Sequence, residues 1–462
     1  MIGAPPRTLR QLWPELLVVT LGVMLRVAMN ASYDVRWSYD FDDHFAYIEH
    51  LSRVWSWMPL AESRAAYHPP LYYAIAALLV RAGAGVQALG WISIASGCAR
   101  LLLILYGVLR WLPGDRVARV AALAVAAVLP ASLHTDGMVT NEALNGFVCT
   151  AALLLAAELF ATEEGRARLV RAAALGAVIG VALWIKQSAL VILAAVVLVG
   201  AVAAVVAHNR DRARARSLAA ALAVVTVACA LVAGPWFAHT RAAHGRFVLT
   251  GFDGADAHRL AGTQATPYLL RRPLHYYVGF SPRIFAFPYA PVGLAPRAEF
   301  PTQLFATTFV DYYNFAFGPY PATLDAPLRA NLKPLRPEVL ALSRVAIAGG
   351  ALVALATIAG WIGCALAARG RRDATLAVLL AIPALAVAGQ LHFAVAYPID
   401  AEGLVKGAYL QFAAAPLCAT FGVAVAWLMR RRRARALAIA GAVAACAAVV
   451  ALAVYDVGCR IL

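Results

Sequence analysis

Charge is what this sequence lacks most. Asp, Glu, Lys and Arg make up 14% of its 462 residues, against about a quarter in an average chain. A soluble chain of this length would fold as two or three domains with charged surfaces, and this one has too little charge to cover them. Lysine is scarcer still: only Lys186, Lys333 and Lys406 occur. The seven cysteines include no CxxC pair and no Cys/His ligand spacing, and all but Cys459 fall inside apolar runs, so neither a zinc site nor a disulfide frame is supported. There is no P-loop, dinucleotide-binding glycine fingerprint or zincin motif. The Gly-x-Ser-x-Gly elbow of the hydrolases is missing too. Nor do the two halves repeat one another, as they do in many transporters. These absences exclude a soluble enzyme, a disordered chain and a secreted disulfide scaffold.

Apolar sequence is abundant. It forms 62% of the residues, in runs of about twenty, with a mean hydropathy of +0.72. The fold class is therefore an all-α polytopic membrane protein. The net charge of +16 is gathered into short basic clusters between the runs. That is the positive-inside pattern rather than a nucleic-acid surface. The clusters are Arg7/Arg10, Arg110/Arg116/Arg119, Arg166/Arg168/Arg171, Arg210/Arg212/Arg214/Arg216, Arg369/Arg371/Arg372 and Arg430–Arg433 with Arg435, together twenty of the forty basic residues. With all of them cytoplasmic, eleven spans fall near 14–32, 90–110, 119–136, 143–161, 170–186, 188–207, 218–238, 341–368, 375–396, 407–429 and 436–457. The N-terminus is then inside and the C-terminus outside. The first run follows Arg7 and Arg10 without a small-residue cleavage site, so it reads as a retained span rather than a signal peptide. Residues 71–82 are too short a run to cross and read as a helix on the outer membrane surface. An Ala- and Arg-rich, Lys-poor composition suggests a GC-rich bacterial genome, and hence a bacterial inner membrane.

This topology gives one membrane domain, 1–462, with two large outer segments at 33–89 and 239–340. Both are rich in aromatic residues, His and Pro. Loops of this length are uncommon unless functional, which puts the chemistry on the outer face. In the first, Asp40, Asp42, Asp43 and His44 precede a helical pattern. Phe41, Phe45, Ile48 and Trp55 form its apolar stripe, and Asp40, His44 and Tyr47 share a neighbouring face. Such an amphipathic helix lies in the interface and presents acids toward a cleft. The plain alternative makes Asp40 an N-cap and Glu49–Arg53 a surface rung. Lys186 ends a span, and an ionisable residue at membrane depth is a functional candidate unless it snorkels to the interface. The same choice applies to Lys406, and Arg26 and Arg100 interrupt runs and either pair or snorkel. Asn141 and Glu142 either cap a helix or contact a ligand, and His68 before Pro69-Pro70 is either a turn residue or a ligand contact. In the second loop, Tyr276, Tyr277, Phe280, Tyr289, Tyr312, Tyr313, Phe315 and Phe317 suit packing over the membrane or a carbohydrate surface. Asp311 is a further acid there.

Five short stretches carry a family likeness: Asp40-Phe41-Asp42-Asp43-His44 with Tyr47, His68-Pro69-Pro70-Leu71-Tyr72-Tyr73, Thr140-Asn141-Glu142-Ala143-Leu144, Trp184-Ile185-Lys186-Gln187-Ser188 and Lys406-Gly407-Ala408-Tyr409. In these and in topology the chain resembles the GT-C membrane glycosyltransferases that use polyprenyl-phosphate sugars, among them the protein O-mannosyltransferases and the lipid A aminoarabinose transferases. Family members often carry Asp-Glu where this chain has Asp40-Phe41, so either Asp40 or Asp42 matches the family acid. The resemblance implies inverting transfer of a sugar to an extracytoplasmic lipid, glycan or protein, with Asp40 or Asp42 as general base. His44, Tyr47, His68, Asn141, Glu142, Lys186, Lys406 and Tyr409 would contact the donor and its phosphate. Asp40, Asp42 and Glu142 would hold a divalent metal if they converge. The partners implied are the lipid-linked donor, the acceptor and membrane lipids, with no nucleic acid. A transporter of lipid-linked sugars and a ligase or polymerase using diphosphate-linked donors are the alternatives.

Overall fold

A computed structural model describes residues 11–162, 165–254, 266–288, 299–312, 337–371, 373–398, 405–431, 443, 447 and 449–452. Among these residues the chain is helical without strands. The first half holds α1 (Trp13–Ser32), α2 (Phe41–Val54), α3 (Leu71–Arg81), α4 (Gly90–Trp111), α5 (Arg116–Val128), α6 (Pro130–Thr135), α7 (Glu142–Ala161) and α8 (Arg166–Leu183). The second holds α9 (Leu190–His208), α10 (Arg212–His244), α11 (Leu274–Val278), α12 (Phe300–Phe309), α13 (Pro337–Arg371), α14 (Ala374–Ala396) and α15 (Ala414–Met429). Seven helical stretches among the described residues are long and apolar enough to cross a membrane. This is a multi-pass membrane protein.

The expected spans from 14–32 to 407–429 each fall on a helical stretch; the one at 436–457 lies largely outside the described residues. Residues 71–82 form α3, a short apolar helix. The stretch expected at 119–136 is broken in two. Pro130 lacks the N–H that would continue the ladder, and it pushes Leu129 out of the helical region to ψ 116°. The expected span at 407–429 begins as a 3₁₀ turn, Gly407–Ala413, before α15.

Small residues let the helices approach. Gly176 and Gly180 lie one turn apart on α8, and a side-chain carbon on either would strike Val225 or Val232 of α10. Close backbone approach through small residues is how helices associate in lipid, where burial of apolar surface gives little drive. One large apolar core unites α4, α5, α7, α8, α9, α10, α14 and α15. A second, smaller core lies under α2 and α3.

The ends of the bundle differ in charge. At one end Arg119 pairs with Glu15, Arg430 with Asp115, and Arg110 and Arg171 with Glu158. There Asp115, Asp211 and Asp373 cap the first turns of α5, α10 and α14 through the amides of Ala118, Arg214 and Leu376. The opposite end gathers α2, α3, α6, α11, α12 and the turns at 184–189 and 405–413. That end holds the site.

Candidate active site

The approach to Asp40 is fixed before α2 begins. Gln87 donates to Tyr33 O at 2.6 Å and accepts from Val35 N at 3.3 Å. Ser38 Oγ accepts from Val139 N at 2.9 Å, tying the loop to the segment before α7. Asp40 then takes the left-handed conformation, with φ 51°. Such a conformation costs about 1–3 kcal/mol and is tolerated by Asp better than by most residues. Asp40 occupies the N-cap position of α2, yet its side chain makes no capping bond. The carboxylate points elsewhere: Oδ2 lies 3.5 Å from Lys406 Nζ, across 366 positions of sequence.

Lys406 is held by its backbone. Gln390 of α14 donates to Lys406 O at 3.0 Å, and Gly407 N donates to Thr307 Oγ1 of α12 at 2.8 Å. The ammonium sits 4.4 Å from the Tyr39 ring centre and 5.6 Å from that of Tyr409. Both are within cation–π range. The Lys406 side chain is 8% exposed, that of Asp40 55%. Asp40 therefore opens to solvent from a cleft whose walls are protein. The Lys406 ammonium holds its carboxyl below the usual carboxylate range, against the opposing effect of burial, with His44 and Arg64 adding smaller contributions.

The second lysine stands beside the first. Lys186 follows the C-terminal end of α8 and reaches 4.6 Å from the Tyr409 ring centre, so one ring serves both ammonium groups. Lys186 also bonds Glu142, the first residue of α7, whose anionic side chain suits the positive end of the helix. Asn141, one residue earlier, makes no side-chain cap. Its Nδ2 donates to Ile185 O at 3.3 Å, and its buried Oδ1 has no partner among the described residues.

The face that α2 packs against the protein lies beside the apolar stripe expected to meet the membrane interface. His44, Tyr47, Ile48 and Leu51 point inward, while Phe41 and Phe45 stack on each other partly exposed and Trp55 is exposed. The reason is that α3 offers polar partners inside. His44 Nδ1 and Tyr73 Oη are 2.8 Å apart, and Tyr47 stacks on Tyr73 with centroids 4.3 Å apart. His68 is buried in a turn against Tyr67, whose ring centre is 4.0 Å away, and stacks toward His44 at 5.9 Å. Burial lowers His44 to about 4 and His68 well below the usual range, so both imidazoles are neutral at pH 7. The three acids separate. Asp43 accepts from Arg64 N and Ser63 Oγ, at 2.9 and 3.2 Å, and clamps the following loop to α2. Asp42 is exposed on the first turn of α2. Asp40 alone faces a lysine.

A buried charge cluster supports the cleft, and its central residue escaped the sequence reading. Asp136 is fully buried and accepts from Arg26 Nε at 2.8 Å and Arg100 Nη2 at 3.0 Å. Arg100 also bonds Gln411, and Gln411 Nε2 donates to Ala131 O at 3.1 Å, which anchors the turn carrying Tyr409. Gly97 leaves the space that the Asp136 carboxylate fills. The available signal was an Asp at the end of an apolar run in a chain with two arginines inside other runs. Tyr39, whose ring faces Lys406, was not singled out in the sequence either. Asp311 is buried and lines a small cavity with Met29, His134 and Ser343. Tyr276 and Tyr312 are buried, Phe280 packs on Phe285 and Phe305, and Tyr289, Tyr313, Phe315 and Phe317 lie outside the described residues.

Asp40 and Glu142 each face their own lysine, and among the described residues no group of three or more His, Cys, Asp or Glu side chains could hold an ion. What the cleft offers is a half-open carboxylate and two ammonium groups arranged about one tyrosine.

No family model matches the chain, and no curated protein matches it. Solved structures do. One is the archaeal oligosaccharyltransferase AglB from Archaeoglobus fulgidus in complex with an inhibitory peptide and a dolichol-phosphate, at 14% identity and a TM-score of 0.50, covering 97% of this chain and 56% of that one. Another is an Archaeoglobus fulgidus oligosaccharyltransferase in complex with Zn and sulfate, at 14% identity and a TM-score of 0.50, covering 95% and 53%. The chain thus spans about half the length of the oligosaccharyltransferases it matches. At this identity the likeness is one of fold, and the fold is GT-C-like.

Proposed function

We propose that the chain is a glycosyltransferase of a bacterial inner membrane that moves a sugar from a polyprenyl-phosphate donor to an acceptor outside the cytoplasm. The observation that carries this reading is the Asp40 carboxylate, uncapped and half-open, held beside Lys406 and Tyr409 from the far end of the chain. The GT-C-like fold supports it, as does the dolichol-phosphate bound to the archaeal neighbour. Basic residues such as Arg119 and Arg430 lie at the end opposite this cleft, which under the positive-inside rule supports a cleft that faces outward.

In this reading Asp40 accepts the proton of the acceptor hydroxyl as its oxygen attacks the anomeric carbon. The bond from that carbon to the phosphate oxygen breaks, and the departing polyprenyl phosphate keeps the electron pair. Lys406 and Lys186 meet the charge that develops there. Single displacement inverts the anomeric centre. Removing a positioned base costs about 10²–10⁴ in rate. Asp40 is the better placed of the two candidate bases, because it lies 3.5 Å from Lys406.

The test is release of free polyprenyl phosphate by the protein in lipid, given a panel of polyprenyl-phosphate sugars and an envelope fraction as acceptor. Release from one donor, lost in Asp40→Asn, supports transfer and identifies the sugar. Tight donor binding with lipid scrambling and no release would replace transfer by transport.

A further inference from the structure

Beyond Lys186 the same end of the molecule carries a second cluster that the transfer step leaves unused. Trp57 lies in the irregular segment after α2. Its ring centre is 6.1 Å from that of Trp184, 5.4 Å from that of Trp236 and 4.6 Å from that of His239. Trp184 follows α8 directly, two residues before Lys186, and Trp236 and His239 lie in the last turns of α10. Trp184 and Trp236 are 6.4 Å apart, Trp236 and His239 6.0 Å. Three elements distant in sequence thus bring four rings together at the edge of the cleft.

Two properties separate this cluster from plain interfacial packing. Trp57 is 39% exposed, so the group has an open side. Trp236 is 3% exposed, and its indole N–H has no acceptor among the described residues, whereas Trp184 donates to Val232 O at 2.7 Å. A buried donor left without a partner is costly and rare. The indole nitrogen only donates, so what completes it must bring an acceptor atom. A polyisoprene chain brings none. A pyranose ring brings hydroxyl oxygens for the N–H and an apolar C–H face for the indole and imidazole planes.

We propose that Trp57, Trp184, Trp236 and His239 form a binding site for a pyranose ring, reached when the Trp57 ring turns aside from Trp236. The inference rests on the reading of the adjoining cleft as a glycosyl-transfer site. The ring belongs either to the lipid-linked donor or to the acceptor glycan, which share this chemistry.

The test uses the full chain in lipid nanodiscs and saturation-transfer NMR with methyl α-mannopyranoside, methyl α-glucopyranoside and methyl α-galactopyranoside. At least one glycoside should take up saturation on its ring protons. Trp57→Ala should weaken its binding about 10-fold. Trp236→Phe keeps an aromatic face but removes the N–H together with the pyrrole half of the indole, and should weaken binding about 3- to 10-fold in protein whose melting temperature shows it still folded. Displacement of the glycoside by a polyprenyl-phosphate sugar assigns the site to the donor, and simultaneous binding of both assigns it to the acceptor. The proposal is overturned if no glycoside binds, if both variants bind as the wild type does, or if the variants weaken only polyprenyl phosphate. Sugar binding needs no turnover, so intact binding without transfer would overturn the transferase reading and leave this site standing. Transfer without sugar binding here would do the reverse.

Discussion

Two charge clusters lie at the same end of this molecule, and the same chemical groups behave differently in each. Arg26, Asp136 and Arg100 are sealed, at 2% exposure or less, and both oxygens of Asp136 accept charged hydrogen bonds. Asp40 and Lys406 touch at 3.5 Å through one contact, and the Asp40 side chain is 55% exposed. A carboxylate with both oxygens engaged and no path to water holds helices together. A carboxylate with one long contact and an open side is free to take a proton from something else. Under the transfer reading proposed above, the contrast separates a structural ion cluster from a reactive one, and it turns on exposure and bonding rather than on residue type.

The widest gap between the two should show on paired substitutions. Asp40→Asn should lower transfer about 10²–10⁴-fold, read as polyprenyl phosphate release. Its melting temperature should hardly move, because a half-exposed ion pair is worth about 0–1 kcal/mol and Asn also accepts the left-handed conformation. Asp136→Asn should do the opposite. It leaves two buried arginines with no counter-charge, and breaking such a group costs about 3–5 kcal/mol. The expected readout is loss of folded protein or a large drop in melting temperature. Equal destabilisation by the two substitutions would make the Asp40 pair structural as well and erase the distinction.

Much of this was legible in the sequence, for a physical reason. Membrane spans must be long and apolar, so helix positions follow from the length of the apolar runs, and α1, α4, α7, α9 and α14 lie within a few residues of where those runs put them. The acidic loop, Lys186 and Lys406 stood out because charge is scarce. Pairing did not stand out. Nothing local says that Asp40 meets Lys406, or that Asp136 answers Arg26 and Arg100, because those contacts span 366, 110 and 36 positions. The inward packing of His44 and Tyr47 is hidden for a related reason. His44 and Tyr47 read as a polar edge until Tyr73 supplies an interior partner.

The neutral imidazoles contrast with the charged cleft beside them. His44 faces Asp40, Lys186 and Lys406, and burial lowers it from 6.5 to about 4. Between those values the unfolded chain binds a proton that the folded chain refuses, so stability falls as pH drops from about 6.5 toward 4. That shift corresponds to about 3 kcal/mol across the window. His68, also buried and neutral, acts in the same direction. Asp40 does not contribute there, since its depressed carboxyl gives up stability only below the ordinary carboxylate range. Melting temperatures in nanodiscs at pH 7.5 and 5 should differ, and His44→Gln should narrow the difference. An unchanged slope in that variant would mean that His44 is not held neutral by the fold.

The smallest effect closes the series. Glu49 and Arg53 form an i, i+4 pair on the outer side of α2, at 2.5 Å, with side chains 43% and 71% exposed. It is the closest of the three carboxylate–cation contacts compared and should matter least. Both groups stay largely hydrated, so pairing them gains about 0.3–0.5 kcal/mol and screening by salt reduces even that. Glu49→Gln should therefore leave transfer unchanged and, like Asp40→Asn, shift the melting temperature far less than Asp136→Asn. A larger loss of activity in Glu49→Gln than in Asp40→Asn would show that the working acid sits further along α2. If distance governed these pairs, Glu49 would rank first. If exposure and bonding govern them, the order is Asp136 for folding, Asp40 for chemistry and Glu49 for neither.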